Sequence, residues 1–226
     1  MQKINRLIGE NKLDEALDLA LDKLDKLNFD FKRFAGEISP EILEILCLIS
    51  IIYYSKKEIM NSTEILLKTN NLTKQKFKNE PEIYAEIYAD INNDLALNFK
   101  ILKDYASALK FFEISSFVKK NLGADFIGEY AAILSEIAEI YAIKKDYKKA
   151  CETYEKILEI CKRNFNQNQA DWAEFYAQNL FYHSVAMFYN GAEFKNFLNK
   201  SIEISKNFKL STAKQEKFLE FLKVQK

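Results

Sequence analysis

Histidine and cysteine, which supply many catalytic and metal-binding groups, are rare in this sequence: it has one histidine, His183, and three cysteines. An imidazole can act as a general base or a metal ligand, and a thiolate can act as a nucleophile. Both roles need partners, and His183 has no Cys or Asp close to it in the sequence. Cys47 lies in an apolar run, while Cys151 and Cys161 lie ten residues apart, outside CxxC spacing. We therefore expect no metal, no cofactor and no enzymatic activity.

Charge is the next candidate for function, and it is balanced. The chain carries 33 basic and 33 acidic residues, so no overall field attracts nucleic acid or an anionic membrane, and we predict neither as a partner. The lysines at 144–149 and 74–78 are interpreted as solvated surface. The longest apolar run, Ile45 to Tyr54, is too short to span a bilayer, and the first residues lack the apolar core of a secretion signal.

The cysteine count and the composition bear on where the protein works. Three cysteines are an odd number, which favours reduced thiols and a cytoplasmic protein. The abundance of Lys, Asn, Ile, Phe and Tyr is typical of an AT-rich bacterial genome.

Only five Gly and two Pro, with 29% charged residues, favour long uninterrupted helices and an all-α fold. Pro40 and Pro81 each precede a glutamate, as expected in the first turn of a helix.

Two stretches of the sequence, Ala96 to Glu113 and Ala138 to Thr153, echo one another. Small residues at fixed positions let antiparallel helices approach closely, while large ones fill the gaps. Weaker copies recur along the chain at spacings of 42 to 48 residues, which predicts an array of helix pairs. The matching residues are Ala96, Phe99, Asp104, Tyr105 and Ala108 in the first stretch and Ala138, Tyr141, Asp146, Tyr147 and Ala150 in the second.

This pattern resembles the tetratricopeptide repeat (TPR), and its long period is similar to the extended repeats of kinesin light chains and related cargo adaptors. The resemblance implies a right-handed α-solenoid of antiparallel helix pairs. We predict a single domain over residues 1–226, with a capping helix at 211–224 whose Phe218, Leu219 and Leu222 form one apolar stripe. Leu198 and Ile157 are larger than the family pattern expects. The predicted repeat-like units are 1–30, 43–76, 89–122, 131–164 and 179–208.

In TPR proteins one face of each first helix lines a concave surface, so the resemblance also implies a peptide-binding groove. The Lys and Asn residues with which some family members hold a C-terminal carboxylate are missing here. The middle of the predicted groove is instead acidic, which favours a ligand with Lys or Arg side chains, and Asn93 can hydrogen-bond its backbone. Carried over to this sequence, the groove residues are Asp90, Asn93, Asp94, Leu97, Lys100, Glu136, Glu139, His183 and Asn190.

Three functions agree with this pattern. The leading hypothesis is a non-enzymatic adaptor that binds a peptide or helix of another protein in a concave, centrally acidic groove. The second is a self-associating structural subunit, such as a homodimer, that uses apolar surface near the N-terminus or the capping helix. The third is a peptide-sensing regulator that acts through a partner. The sequence leaves the partner's identity open, and an acidic face that only balances lysines elsewhere remains an alternative.

Overall fold

The computed structural model describes residues 1–224, which form eleven α-helices within two compact units, Met1–Ala124 and Asp125–Lys226. The helices of the first unit are α1 (Gln2–Gly9), α2 (Leu13–Lys26), α3 (Pro40–Ser55), α4 (Ile59–Asn79), α5 (Pro81–Ile101) and α6 (Tyr105–Leu122). Those of the second are α7 (Ile127–Ile143), α8 (Tyr147–Phe165), α9 (Gln169–Tyr189), α10 (Lys195–Asn207) and α11 (Ala213–Val224).

Both prolines begin helices, as predicted. Pro40 is the first residue of α3, where the Ser39 hydroxyl oxygen accepts a hydrogen bond from the Ile42 amide at 3.3 Å. Pro81 is likewise the first residue of α5. A proline fits this position because the first-turn amides have no partner within the helix.

The repeated Asp-Tyr pair begins the second helix of a pair. Asp104 caps α6, and its Oδ1 accepts a hydrogen bond from the Ser107 amide at 3.1 Å. Asp146 caps α8 in the same way, accepting from the Lys149 amide at 3.3 Å. A hydrogen bond from the Ser107 hydroxyl to Asp104, together with these amide bonds, favours the ionised carboxylates, so the pKa of each aspartate lies below its usual value. The pair therefore recurs because it starts a helix.

The turn before each of these caps has one shared geometry. Lys103 and Lys145 adopt a left-handed backbone with φ of 61° each. The amides of Asp104 and Asp146 then donate to the carbonyls of Phe99 and Tyr141, both at 2.9 Å, which is the six-to-one bond of a Schellman motif. The aromatic residue and the aspartate that recur in the sequence are thus joined directly by a backbone hydrogen bond.

Small residues occupy the helix contacts of each unit. Ala96 and Ala108 are fully buried in the first unit, as are Ala138 and Ala150 in the second. The two residues that depart from the family pattern are also buried: Ile157, and Leu198, which packs with Phe181 and Phe218. Close helix packing therefore follows the predicted pattern, and large side chains are accommodated where neighbouring residues leave room.

The last described helix, α11, packs through aromatic rings. The Phe218 ring lies 5.6 Å from the Phe188 ring and 6.0 Å from that of Phe181, measured between centroids. Leu222 is half-buried beside them, whereas Leu219, predicted in the same stripe, is exposed. The buried face instead includes Gln215, which lies one turn before Phe218.

Candidate functional site

An open cleft lies on the first unit between exposed faces of α3 and α5. Its volume is about 650 Å³. Its α3 side is mainly apolar but includes Glu44, and its α5 side carries a row of carboxylates together with Ile83 and Ile87. We call it the acidic cleft, and its lining residues are Pro40, Glu44, Cys47, Leu48, Ile51, Ile83, Glu86, Ile87, Asp90, Asn93 and Asp94.

The carboxylates of the cleft follow the pitch of α5. Glu86, Asp90 and Asp94 are spaced by four residues, so they lie on one face at intervals of about one helical turn, or roughly 6 Å. Leu48 and Ile51 of α3 form part of the apolar side. The cleft therefore offers apolar contact and negative charge to the same occupant.

Asp90 forms an ion pair with a buried lysine. Its Oδ1 lies 2.7 Å from the Nζ atom of Lys119 on α6, and the Lys119 side chain is only 2% exposed, whereas that of Asp90 is 51% exposed. A buried ammonium group needs a close counter-charge to offset its lost hydration. Asp90 thus has a structural role besides any contact with a ligand.

Asp94 differs from Asp90. It is half-buried, and none of the ion pairs between described residues of the first unit involves its carboxylate. Burial, together with the nearby charge of Asp90, raises the pKa of Asp94 to about 6, while a hydrogen bond with Asn93 opposes the rise. Within the first unit, Asp94 is therefore a half-buried carboxylate that has a hydrogen-bond partner but no basic one.

A smaller cavity of about 300 Å³ adjoins the acidic cleft and shares Ile51 and Asp94 with it. Its floor is made of buried residues, and the Asn98 Nδ2 atom there donates to the Ser62 hydroxyl oxygen at 2.9 Å. Tyr54 is exposed on its wall. We call it the Asp94 pocket, and its lining residues are Ser50, Ile51, Tyr54, Ser62, Leu66, Asp94, Leu97 and Asn98.

Four of the predicted groove residues thus line one continuous surface of the first unit: Asp90, Asn93, Asp94 and Leu97. Lys100 is half-buried near the end of α5 and lines neither cavity. The prediction omitted Glu86, although its position four residues before Asp90 on the same helix face was a usable signal. It also omitted Ser62, Leu66 and Asn98, whose buried positions are set by packing between helices.

The remaining predicted residues lie in the second unit. Glu136 is half-buried and Glu139 is exposed, and both are on α7. Their charges and, above all, burial raise the pKa of Tyr154. Asn190 is exposed at the C-terminal end of α9, where its amide donates to the Ala186 carbonyl at 2.9 Å.

His183 is a core residue. It is 1% exposed, and its ring lies 4.6 Å from that of Phe197 and 6.2 Å from that of Tyr154, both in edge-on contact. Among the described residues neither ring nitrogen has a hydrogen-bond partner. Burial lowers the pKa of His183 to about 4, so the ring is neutral at pH 7. Because it does not reach the surface, we leave it out of the candidate site.

The cysteines show no sign of reactivity. Cys47 lines the acidic cleft, but burial and the neighbouring Asp94 raise the pKa of its thiol. Burial also raises the pKa of Cys161 to about 12. All three thiols are free and protonated at neutral pH. Within residues 1–224 no group of three His, Cys, Asp or Glu side chains is placed to hold a metal ion.

No helix within residues 1–224 is both long enough and apolar enough to cross a bilayer. No family model matches the chain, and no curated protein matches it in sequence.

Solved structures match the chain in fold. A Podosopora anserina protein described as a kinesin light chain with nearly identical TPR-like repeats has a TM-score of 0.71 at 13% identity, over 91% of this chain and 93% of that chain. BtubC (BKLC) from P. vanneervenii has a TM-score of 0.71 at 17% identity, over 91% and 78%. The Rap conjugation gene regulator of plasmid pLS20, in complex with the Phr* peptide, has a TM-score of 0.54 at 12% identity, over 91% and 52%.

At such identities the likeness establishes the fold alone. The chain has the all-α solenoid fold of TPR-like repeats, as predicted. The resemblance to the extended repeats of kinesin light chains is likewise confirmed as a likeness of fold.

Proposed function

We propose that this chain is a non-enzymatic interaction protein that binds a peptide or helix of a partner protein in the acidic cleft. The observation that carries the proposal is the juxtaposition of apolar side chains and a row of carboxylates around one open cavity of about 650 Å³. The pLS20 regulator, which has a similar fold, was solved with a peptide bound, and this supports peptide binding by the present chain.

The chemistry of the cleft indicates an amphipathic, basic ligand. Lys or Arg side chains one helical turn apart on a ligand helix match the spacing of Glu86, Asp90 and Asp94. Apolar ligand residues beside them contact Leu48 and Ile51. Each charged hydrogen bond that forms away from water contributes about 1.5–3 kcal/mol. An extended peptide fits the same rule, since alternate residues on one side of a strand are roughly 7 Å apart.

The predicted residues of the second unit enter the proposal as a separate contact. Glu136 and Glu139 place two further carboxylates on α7, and Asn190 is exposed at the end of α9. We assign these side chains to the same class of basic ligand. The cleft of the first unit does not depend on them.

A binding selection tests the cleft. Random 12-residue peptides displayed on phage are selected against the full chain, and the enriched peptides are synthesised with a fluorophore. We expect Glu86→Lys to weaken binding at least tenfold, measured by fluorescence anisotropy, because it reverses one exposed charge of the cleft. Glu113→Lys, on an exposed site of α6, is the matched control and should change little.

The result that contradicts the proposal is a set of peptides whose affinity is unaffected by Glu86→Lys and by Ile51→Glu. A selection that enriches no specific peptide contradicts it as well. Circular dichroism of each variant shows whether the helices are intact.

Self-association is the second candidate function. Ile51, Tyr54 and Ile83 are exposed by 39%, 45% and 51% on the same unit, and we propose a second copy of the chain as the cover for this surface. Light scattering at high concentration decides this, since a strict monomer excludes a homodimer. Peptide-sensing regulation requires the same cleft to be occupied, so it depends on the peptide selection described above.

A further inference from the structure

The Asp94 pocket is a separate, smaller cavity within the proposed binding surface. We propose that it is a subsite for one long basic side chain, Lys or Arg, of the bound peptide. This inference rests on the proposed function for the position of the peptide. It adds that one basic position of the ligand is recognised individually, by insertion rather than by general attraction to the acidic cleft.

The pocket combines apolar walls with one carboxylate at its border. The walls and floor include Ile51, Tyr54, Leu66 and Leu97, while the carboxylate of Asp94 lies where the pocket meets the cleft. The methylene groups of Lys and Arg bury favourably against apolar side chains while the charged end stays in a polar place. An apolar pocket with a single carboxylate at its border therefore matches both parts of such a side chain.

Asp94 has no counter-charge within the first unit. Asp90 has the buried ammonium of Lys119 at 2.7 Å, but Asp94, half-buried one turn further along α5, takes part in none of the ion pairs between described residues of that unit. A carboxylate withdrawn from water without a counter-ion costs free energy. A cationic side chain from a ligand offsets that cost, so binding gains from a charge already in place.

Two hydrogen-bond donors at the floor of the pocket are already engaged. The Asn98 side-chain amide donates to the Ser62 hydroxyl oxygen, and the Ser50 hydroxyl donates to the Cys47 carbonyl at 2.7 Å. An amide or hydroxyl oxygen, in contrast, has two lone pairs and can accept a further hydrogen bond. An acidic ligand side chain finds few donors here. A guanidinium or ammonium group, which only donates, fits the remaining acceptors.

The first arm of the test uses small probes with the full chain. N-acetyl-arginine methylamide and N-acetyl-lysine methylamide are titrated against protein whose Asp94 carboxyl carbon is followed by NMR. We expect either probe to lower the pKa of Asp94 by about half a pH unit or more, since a nearby cation favours the carboxylate. Chemical shifts of Asn98 and Leu66 should move with it. The neutral isostere N-acetyl-citrulline methylamide should have no such effect.

Two variants make this arm specific. Asp94→Asn removes the charge, keeps the shape, and should abolish the response at Asn98. Glu86→Gln, which alters the acidic cleft outside the pocket, should retain it. Equal responses to the arginine and citrulline probes, or no response to either cation, overturn the inference; the first of these outcomes means a neutral or apolar side chain occupies the pocket.

The second arm uses the selected peptides. Replacing their basic residues one at a time with citrulline or norleucine should reveal one position that loses at least tenfold in affinity for the wild type and almost nothing for Asp94→Asn. Peptides whose affinity depends on Glu86 but not on Asp94 overturn the inference about the pocket. The proposed function of the acidic cleft is then retained. If no peptide is selected, the proposed function fails, and the small probes still decide the pocket.

Discussion

The side-chain amide of Asn70 on α4 donates a hydrogen bond to Oδ1 of Asn92 on α5 at 2.9 Å. Asn92 Nδ2 in turn donates to the Tyr88 carbonyl at 2.6 Å. The two side chains are 6% and 0% exposed, so the bonds lie within the first unit. A buried polar pair of this kind fixes one arrangement of two helices, because any other leaves an amide without a partner.

We expect Asn92→Leu to lower the free energy of unfolding by roughly 1–3 kcal/mol, because Asn70 then loses its buried partner. The double variant Asn70→Leu/Asn92→Leu should recover part of that loss, since it removes both polar groups. Urea unfolding of the two single variants and the double variant gives the coupling energy. Strictly additive effects would contradict a coupled pair.

Because the pKa of Asp94 is raised, we expect the free energy of unfolding to fall as the pH rises. Its pKa is about 6 in the folded chain against 3.8 as its ordinary value, so the folded state binds the extra proton. That stabilisation is complete below pH 3.8 and is lost as the pH rises through 6. Asp94→Asn should therefore be more stable than the wild type by roughly 1–3 kcal/mol at pH 8.

The difference should disappear near pH 4, where the wild-type carboxyl is protonated as well. Urea unfolding at several pH values measures it, and Glu86→Gln is the control for removing a carboxylate from an exposed site. A difference that is the same at pH 8 and pH 4 would show that Asp94 is not the titrating group. Since Asp94→Asn is expected to be stable, any loss of ligand binding by this variant reflects the site.

Because the pKa of His183 is lowered, we expect the free energy of unfolding to fall in acid. Its pKa is about 4 in the folded chain and 6.5 ordinarily, so the unfolded state binds the proton more readily. The stabilising contribution of the neutral ring to the free energy of unfolding is complete above pH 6.5 and is lost as the pH falls through 4. His183→Phe, which suits the contacts with Tyr154 and Phe197, should be favoured over the wild type by roughly 1–3 kcal/mol more at pH 4 than at pH 7.

Thermal unfolding across this pH range measures the effect. Overpacking by the larger ring would shift the stability equally at both pH values, so the informative quantity is the change with pH. Parallel pH profiles for the wild type and His183→Phe would mean that the buried ring does not titrate in this range.

We expect a glycine in the turn before α8 to stabilise the fold. Lys145 has a φ of 61°, a conformation that glycine adopts without steric cost. Lys145→Gly should raise the free energy of unfolding by about 0.5–1 kcal/mol. Lys144→Gly is the matched control, because Lys144 has a φ of −74° and should lose stability instead. Equal losses in both variants would contradict the expected conformational effect.

The repeat was predictable from sequence because its residues act locally. Asp104 and Asp146 cap the helices that follow them, and the bonds from Phe99 and Tyr141 close the turns before them. Such contacts span six residues or fewer, so spacing alone specifies them. The fold class followed from these signals.

The site was predicted less completely because it depends on helix length and on distant neighbours. On α5 the family frame places its first groove residue at Asp90, but the helix begins at Pro81, so the cleft extends about one further turn to Glu86 and two to Ile83. His183 was placed in the groove by the same frame, yet Phe197 on α10 packs against it. No local pattern reports which distant side chain covers a position.

Ser50 and Ser62 occupy the small-residue positions that hold alanine in the two best copies of the repeat. Both serines lie at the Asp94 pocket, and the Ser62 hydroxyl holds Asn98 in place. Residues normally regarded as spacers between helices thus also determine the depth and polarity of a cavity at the surface. A repeat protein can therefore alter what it recognises through its interior, with no change to the side chains that a ligand first meets.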